Sequence, residues 1–134
     1  GTPTAVSAEK LAEILGDVNK YFDLSHLKEF TLEAGRADTI TKEKLMLAKD
    51  AGVDRISIHP QTMNKNTLKT VGRLHDDKDV INAFEIAREC NFDNINMDLI
   101  AGLPGENADD FKYSLEENIS NSTFSDIFSP SPFG

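Results

Sequence analysis

Apolar residues along the chain follow two different periods. In five segments the apolar residues recur at the helical interval of about 3.6 residues. These segments predict helices over 7–21, 64–71, 79–89 and 107–117, and a further helix that Thr41 caps and Gly52 stops. Three shorter segments have strand character, near 29–34, 54–59 and 94–100, and Pro60 is predicted to end the second of them. The chain is therefore predicted to alternate helices with strands.

Strands separated by helices are typical of β-α-β units, in which the strands run parallel. The predicted class is α/β, with helices on one face of the sheet and the opposite face partly bare. A barrel and an open doubly wound sheet both fit this alternation. Part of a barrel is favoured, because neither a G-x-G-x-x-G motif nor a Walker loop is present. The domain is placed at 1–117, and 118–134, which contains Ser, Phe and Pro, is predicted to be an irregular tail.

A polar residue stands at or just after the carboxyl end of each predicted strand. These residues are Glu33, Gln61 and Asp98. Each has an ordinary alternative, since Glu33 could cap a turn, Gln61 could be a solvated loop residue and Asp98 could bind backbone amides. Parallel strands deliver such groups to one rim, where α/β barrels build active sites. We therefore expect these three residues and Arg73 to converge on a site for a polar cofactor.

Charge and composition narrow the class of partner. The formal net charge is −9 and the pI about 4.7, which disfavours nucleic acid as a partner. No apolar run reaches the roughly 20 residues of a membrane-spanning helix, and the first residues do not resemble a signal peptide. The prediction is a folded cytoplasmic protein with no membrane partner.

The cysteine and histidine content gives no sign of a metal site within the chain. Cys90 is the single cysteine, and its helical setting favours a small buried side chain over a reactive thiol. The histidines lack metal-binding spacing. His26 and His75 are predicted to lie on the surface, and His59 is expected to have a packing or solvent role, although contact with substrate stays open.

Four sequence blocks, in their order and spacing, carry a family resemblance. They are GTPT at 1–4, DRISIHPQT at 54–62, GR at 72–73 and NMDLIAGLPG at 96–105. Over about 1–117 the chain resembles the oxygen-independent coproporphyrinogen oxidase branch of the radical S-adenosylmethionine (SAM) superfamily. The resemblance implies that the sheet is part of that family's TIM-like partial barrel.

The resemblance implies roles for Gly1, Thr2, Glu33 and Ile100. Gly1 and Thr2 match the end of the family's G-G-T-P motif, whose backbone receives the amino group of SAM. Glu33 matches an acidic residue at a strand end, and Ile100 falls where an apolar side chain packs beside the adenine.

The resemblance also implies roles for Gln61, Arg73 and Asp98. Gln61 matches the glutamine that contacts the ribose, Arg73 the arginine that pairs with the SAM carboxylate, and Asp98 the aspartate near the ribose and adenosine. Arginine suits its role on chemical grounds, because a guanidinium can bind a carboxylate through two parallel hydrogen bonds.

The family's chemistry implies an enzyme that uses SAM and a [4Fe–4S] cluster held by three cysteines in a C-x-x-x-C-x-x-C loop. A single cysteine cannot hold such a cluster, so we expect that loop to lie upstream and the chain alone to be inactive. For the parent protein, the resemblance implies oxidative decarboxylation of coproporphyrinogen III to protoporphyrinogen IX, with a porphyrinogen substrate and an electron donor protein. A haem chaperone that binds SAM and haem without oxidase activity is the alternative, and an unrelated barrel enzyme is a third.

Overall fold

The helices and strands alternate along the chain. The structure is a computed structural model that describes residues 2–73 and 75–121. Its principal elements, in chain order, are α1 (Ala8–Tyr21), β1 (Thr31–Ala34), α2 (Lys42–Asp50), β2 (Arg55–Gln61), α3 (Lys65–Thr70), α4 (Asp77–Glu89), β3 (Asn94–Leu99) and α5 (Ala108–Asn121). Two short 3-10 helices, Pro3–Ala5 and Ala37–Thr39, lie before α1 and after β1.

The three strands form one parallel sheet in the order β1-β2-β3. Each strand returns to the next through at least one helix, as parallel connections require. Leu32, Ile56 and Ile95 stand side by side in the register. Their neighbours Glu33, Ser57 and Asn96 form the adjacent row, which points to the opposite face. The predicted parallel α/β arrangement is confirmed.

One face of the sheet is buried under helices. Packing of α1, α2 and α4 against the strands makes one apolar core, whose larger members include Leu11, Leu15, Leu32, Leu45, Ile56, Ile58, Val80, Phe84, Phe92 and Ile95. The opposite face carries polar side chains that are partly open to solvent, among them Glu33 and Asp98. Helices therefore cover one face and leave the other partly bare, as the alternation predicted. No helix in the described ranges is long and apolar enough to cross a membrane.

Strand β2 extends beyond its predicted end. The prediction that Pro60 ends this strand is wrong, because β2 runs to Gln61 and pairs there with Leu99. The ladder shifts register between Ile58 and Gln61. A proline has no N–H to donate, and a bulge is where a strand interior accommodates one.

Two helices are longer than predicted. Helix α4 starts two residues before the predicted Asp79, because Asp76 and Asp79 form a reciprocal capping box around its first turn. Helix α5 continues through Asn118, whose side-chain amide donates to the carbonyl of Ser114, so the first residues of the predicted irregular tail are helical. The remainder of that tail, 122–134, lies outside the described residues.

The buried positions of Cys90 and His75 test two further expectations. Cys90 is buried behind α4, as predicted, and this burial raises the pKa of its thiol. His75 was expected on the surface, and that prediction is wrong. Its side chain is buried with Nε2 3.3 Å from the carbonyl oxygen of Pro60, which also accepts from Thr62 N at 2.8 Å. His26 is exposed as expected.

The central strand should carry much of the stability. We expect Ile56→Ala to lower the free energy of unfolding by about 2–5 kcal/mol, because Ile56 is fully buried and its truncation leaves a cavity. The same substitution at Ile14, which is 41% exposed on α1, should change it by less than about 0.5 kcal/mol. Urea unfolding of both variants measures the difference, and similar losses would contradict the assigned core.

Candidate functional site

A histidine lies between two carboxylates on the partly bare face of the sheet. His59 Nε2 is 2.8 Å from Glu33 Oε2 and 3.3 Å from Asp98 Oδ2. Glu33 is on β1, His59 on β2 and Asp98 on β3, so the contact joins all three strands near their carboxyl ends. The side chains of both carboxylates are 55% exposed and that of His59 is 33% exposed. The group is therefore accessible to a ligand.

Two uncharged polar residues on the same face of the sheet contact the histidine and Asp98. Asn96 Nδ2 donates to Asp98 Oδ1 at 2.7 Å and to Ser57 Oγ at 3.2 Å. Ser57 is buried, and its Oγ lies 3.1 Å from His59 Nε2. Asp98 is therefore held from both β2 and β3.

The bulge in β2 sets the conformation of Gln61. Gln61 has a positive φ of 65°, which is uncommon for a residue other than glycine and costs roughly 1–3 kcal/mol. Its backbone carbonyl accepts from Ile100 N at 2.9 Å, so the neighbouring strand holds this conformation in place. Strained residues of this kind are concentrated at functional sites.

An arginine on the loop after α3 contacts Gln61. Arg73 Nε donates to Gln61 Oε1 at 2.9 Å. Gly72 adopts a positive φ of 72°, and Arg73 N bonds to Leu68 O at 2.9 Å, so the chain turns sharply at the end of α3. The guanidinium borders a cleft of about 150 Å³ lined by Arg36, Asp38, Gly72, Arg73 and His75.

A second guanidinium in this cleft is already paired. Arg36 binds Asp38 through two hydrogen bonds, of 3.2 and 2.7 Å, which hold the pKa of the Asp38 carboxyl below its usual range. Arg73 donates to a neutral amide instead of a carboxylate, so its positive charge is not neutralised by that contact. It is the better candidate of the two for an anionic ligand group.

Thr2 and His59 both lie close to Gly35. Thr2 Oγ1 is 3.4 Å from the place where a Cβ on Gly35 would stand, and His59 Nδ1 is 3.2 Å from it. Thr4 is buried, and Lys44 Nζ donates to its carbonyl at 2.7 Å. This contact fixes the segment that contains Thr2 to α2. Gly1 is outside the described residues.

The remaining predicted residue, Ile100, follows β3 directly. Its side chain is exposed, at 44% of its full surface. The structure thus brings Glu33 and Asp98 together through His59, joins Gln61 to Arg73, and links the backbones of Gln61 and Ile100.

Two residues of the site, Ser57 and Asn96, were not among the sequence candidates. His59 was expected to have a packing or solvent role, with substrate contact left open, and the structure places it between two carboxylates. The alternation of side chains along a strand could have indicated these residues. Ser57 and His59 lie on the face opposite to that of Ile56 and Ile58, and Asn96 shares the face of Asp98, two positions later. Their mutual contact depended on the strand register, which the sequence alone did not supply.

The donor set matches the polar groups of SAM but does not match an iron–sulfur cluster. Carboxylates, an amide and an arginine can bind hydroxyls, an amine and a carboxylate. Cys90, the single cysteine, is 1% exposed in the helix-side core, away from the polar face. Across 2–73 and 75–121, no group of three His, Cys, Asp or Glu side chains is arranged to hold a metal ion.

Comparison with protein families gives one match across most of the chain. Residues 1–117 match the model of the Radical SAM superfamily. The Bacillus subtilis oxygen-independent coproporphyrinogen-III oxidase-like protein HemZ is 44% identical over 118 residues, which are 87% of this chain and 24% of that protein. The heme chaperone HemW of the same organism is 40% identical over 121 residues, which are 90% of this chain and 32% of that protein.

A solved structure shares the fold. Coproporphyrinogen III oxidase (HemN) from Escherichia coli, described as a radical SAM enzyme, superposes with a TM-score of 0.80 at 25% identity, covering 91% of this chain and 28% of that one. The chain thus spans about a quarter to a third of the length of these relatives. The family resemblance and the α/β fold expected from the sequence are confirmed.

The close approach of His59 to Gly35 can be tested with matched glycine substitutions. A Cβ at Gly16, inside α1, would meet nothing within 4 Å, so Gly16→Ala should raise the free energy of unfolding by about 0.5–1 kcal/mol. A Cβ at Gly35 would crowd the His59 ring and Thr2, so Gly35→Ala should give no such gain. Equal stabilisation of both variants in urea unfolding would refute the packing at Gly35.

Proposed function

Because the chain belongs to the radical SAM superfamily, we propose that it forms the SAM-binding part of a longer radical SAM enzyme of porphyrin metabolism. The observation that supports this proposal is that Glu33, Gln61 and Asp98 stand at the carboxyl ends of three parallel strands, with Arg73 in contact with Gln61. This edge of the sheet carries acidic, amide and guanidinium groups, and all of them lie within residues 1–117, which match the family model.

Each group suits one part of the cofactor. Arg73 would bind the carboxylate of SAM, since its contact with Gln61 leaves its charge uncompensated. Gln61 and Asp98 would bind the ribose and adenosine, and Glu33 and the backbone of Gly1 and Thr2 would receive the amino group. Ile100 is exposed where it could cover an adenine ring. Bound SAM would supply the oxidising chemistry, and these residues would bind and orient it.

The reaction proposed for the parent is oxygen-independent oxidative decarboxylation of coproporphyrinogen III. Similarity to HemZ and to HemN supports this choice. The parent would then take a porphyrinogen substrate, receive electrons from a donor protein and work in the cytoplasm. The residues present do not fit the [4Fe–4S] cluster, so its three cysteines would come from a part of the parent outside this chain.

A haem chaperone is the second candidate. The 40% identity to HemW, over 90% of this chain, is nearly as high as the 44% identity to HemZ over 87% of it. The parent protein separates the two functions. An oxidase would convert coproporphyrinogen III under anaerobic reducing conditions, whereas a chaperone would bind haem stoichiometrically and leave the porphyrinogen unchanged.

Two arginines of the chain provide a matched test of SAM binding. We expect Arg73→Ala to weaken SAM binding by about 10–100-fold, because one charge-assisted contact is worth roughly 1.5–3 kcal/mol. Arg55→Ala should leave binding nearly unchanged, since Arg55 is at the opposite end of β2 and pairs with Glu29 at 2.9 Å. NMR titration with SAM suits the weak affinity expected of the chain without a cluster. Equal effects of the two substitutions would exclude Arg73 as a ligand-binding residue.

The chain by itself should neither assemble a cluster nor cleave SAM. Three thiolates are needed, and the one thiol present is buried. After anaerobic reconstitution with iron and sulfide, the purified chain should lack the broad visible absorbance of a [4Fe–4S] cluster and release no 5′-deoxyadenosine. Detection of either product would overturn the conclusion that the cluster ligands come from elsewhere.

A further inference from the structure

His59 has a position in the site that the proposed function has not used. Its Nε2 atom is within hydrogen-bonding distance of a carboxylate from β1, a carboxylate from β3 and the hydroxyl of Ser57 on its own strand. Carboxylates are acceptors, so the short contact with Glu33 requires the hydrogen of the ring to be on Nε2. The other ring nitrogen faces the backbone at Gly35.

We propose that His59 is a positioning residue that holds Glu33 in place for the incoming cofactor. This inference rests on the proposed binding of SAM. It assigns a role to a residue that is not itself proposed to contact SAM. It differs from a general structural role, because His59 is one-third exposed and lies on the polar face, outside the apolar core.

The two carboxylates depend on His59 to different degrees. Asp98 also accepts a hydrogen bond from Asn96 at 2.7 Å, so a second donor holds it. For Glu33, the contact with His59 is the one polar side-chain contact that the described ranges provide. Without it, the half-exposed Glu33 side chain would sample several rotamers, and binding a ligand would then require that freedom to be lost. Loss of His59 should therefore affect Glu33 more than Asp98.

The contacts of Nε2 orient the ring. This atom is near the buried Ser57 on its own strand as well as Glu33 on β1 and Asp98 on β3. Nδ1 lies on the other side of the ring near Gly35, where a Cβ would stand 3.2 Å away, so the glycine leaves room for the ring in this orientation. Polar contacts from three strands to one nitrogen are the arrangement that a positioning role requires.

The first experiment tests the contact itself in the ligand-free chain. The chain has three histidines, so long-range proton–nitrogen NMR spectra of their rings can be assigned by substitution. We expect His59 to carry its hydrogen on Nε2 and to exchange it slowly, unlike the exposed His26. Glu33→Ala should speed that exchange. An Nδ1-protonated ring, or exchange as fast as that of His26, would overturn the inference whether or not SAM binds.

The second experiment measures SAM affinity in two substitutions of His59. His59→Phe keeps a ring without a donor and should weaken binding about tenfold, whereas His59→Gln keeps a donor near the position of Nε2 and should stay within about threefold of the wild type. If both variants bind SAM as the wild type does, His59 has no positioning role. If both lose affinity equally while remaining folded, the donor is not the reason, and the inference also fails.

The two experiments together separate this inference from the proposed function. If the ring spectra show no contact between His59 and Glu33 while the wild-type chain still binds SAM, the role of His59 is refuted and SAM binding stands. Failure of the wild-type chain and of its parent to bind SAM at all would instead overturn the proposed function, with the ring spectra still reporting whether the contact exists.

Discussion

Burial of only one face of a parallel sheet is the constraint on which the rest of this structure depends. Leu32, Ile56 and Ile95 pack under the helices, and the register that aligns them also aligns Glu33, Ser57 and Asn96 on the other side. Apolar burial thus fixes which side chains face the site. A slip of one residue in any strand would exchange its polar and apolar faces, so stability and site geometry are set by the same contacts.

The carboxyl edge of the sheet departs from regular geometry where the site requires it. Pro60 interrupts the ladder of the central strand. At the resulting bulge Gln61 has a positive φ, and the Pro60 carbonyl accepts from Thr62 N and lies 3.3 Å from Nε2 of the buried His75. The side chain of Gln61 then meets Arg73, from a loop twelve positions later. Local strain at this point is offset by the backbone bond from Ile100 and by packing around it.

Charge is distributed unevenly among the candidate site residues. Glu33 and Asp98 form an acidic group, with His59 between them. Arg73 adds a positive charge beside Gln61, and the second guanidinium of its cleft is paired with Asp38. Under the proposed function, opposite charges of SAM would be matched to these two groups, and this matching would fix the direction in which the ligand binds. The family to which the chain belongs is consistent with such a ligand.

The sequence by itself determined the parallel α/β class, the approximate bounds of each helix and strand, and the position of Glu33, Gln61 and Asp98 at strand ends. These features follow from local periodicity, capping residues and turns, which short segments encode on their own. The end of β2 was misjudged, because a proline normally stops a central strand and only pairing with β3 shows that the strand resumes after the bulge. The buried position of His75 and the contact of His59 with two carboxylates were decided by the tertiary structure alone. Both depend on side chains from separate strands meeting at a register that hydrophobic packing sets, and no stretch of sequence contains that information.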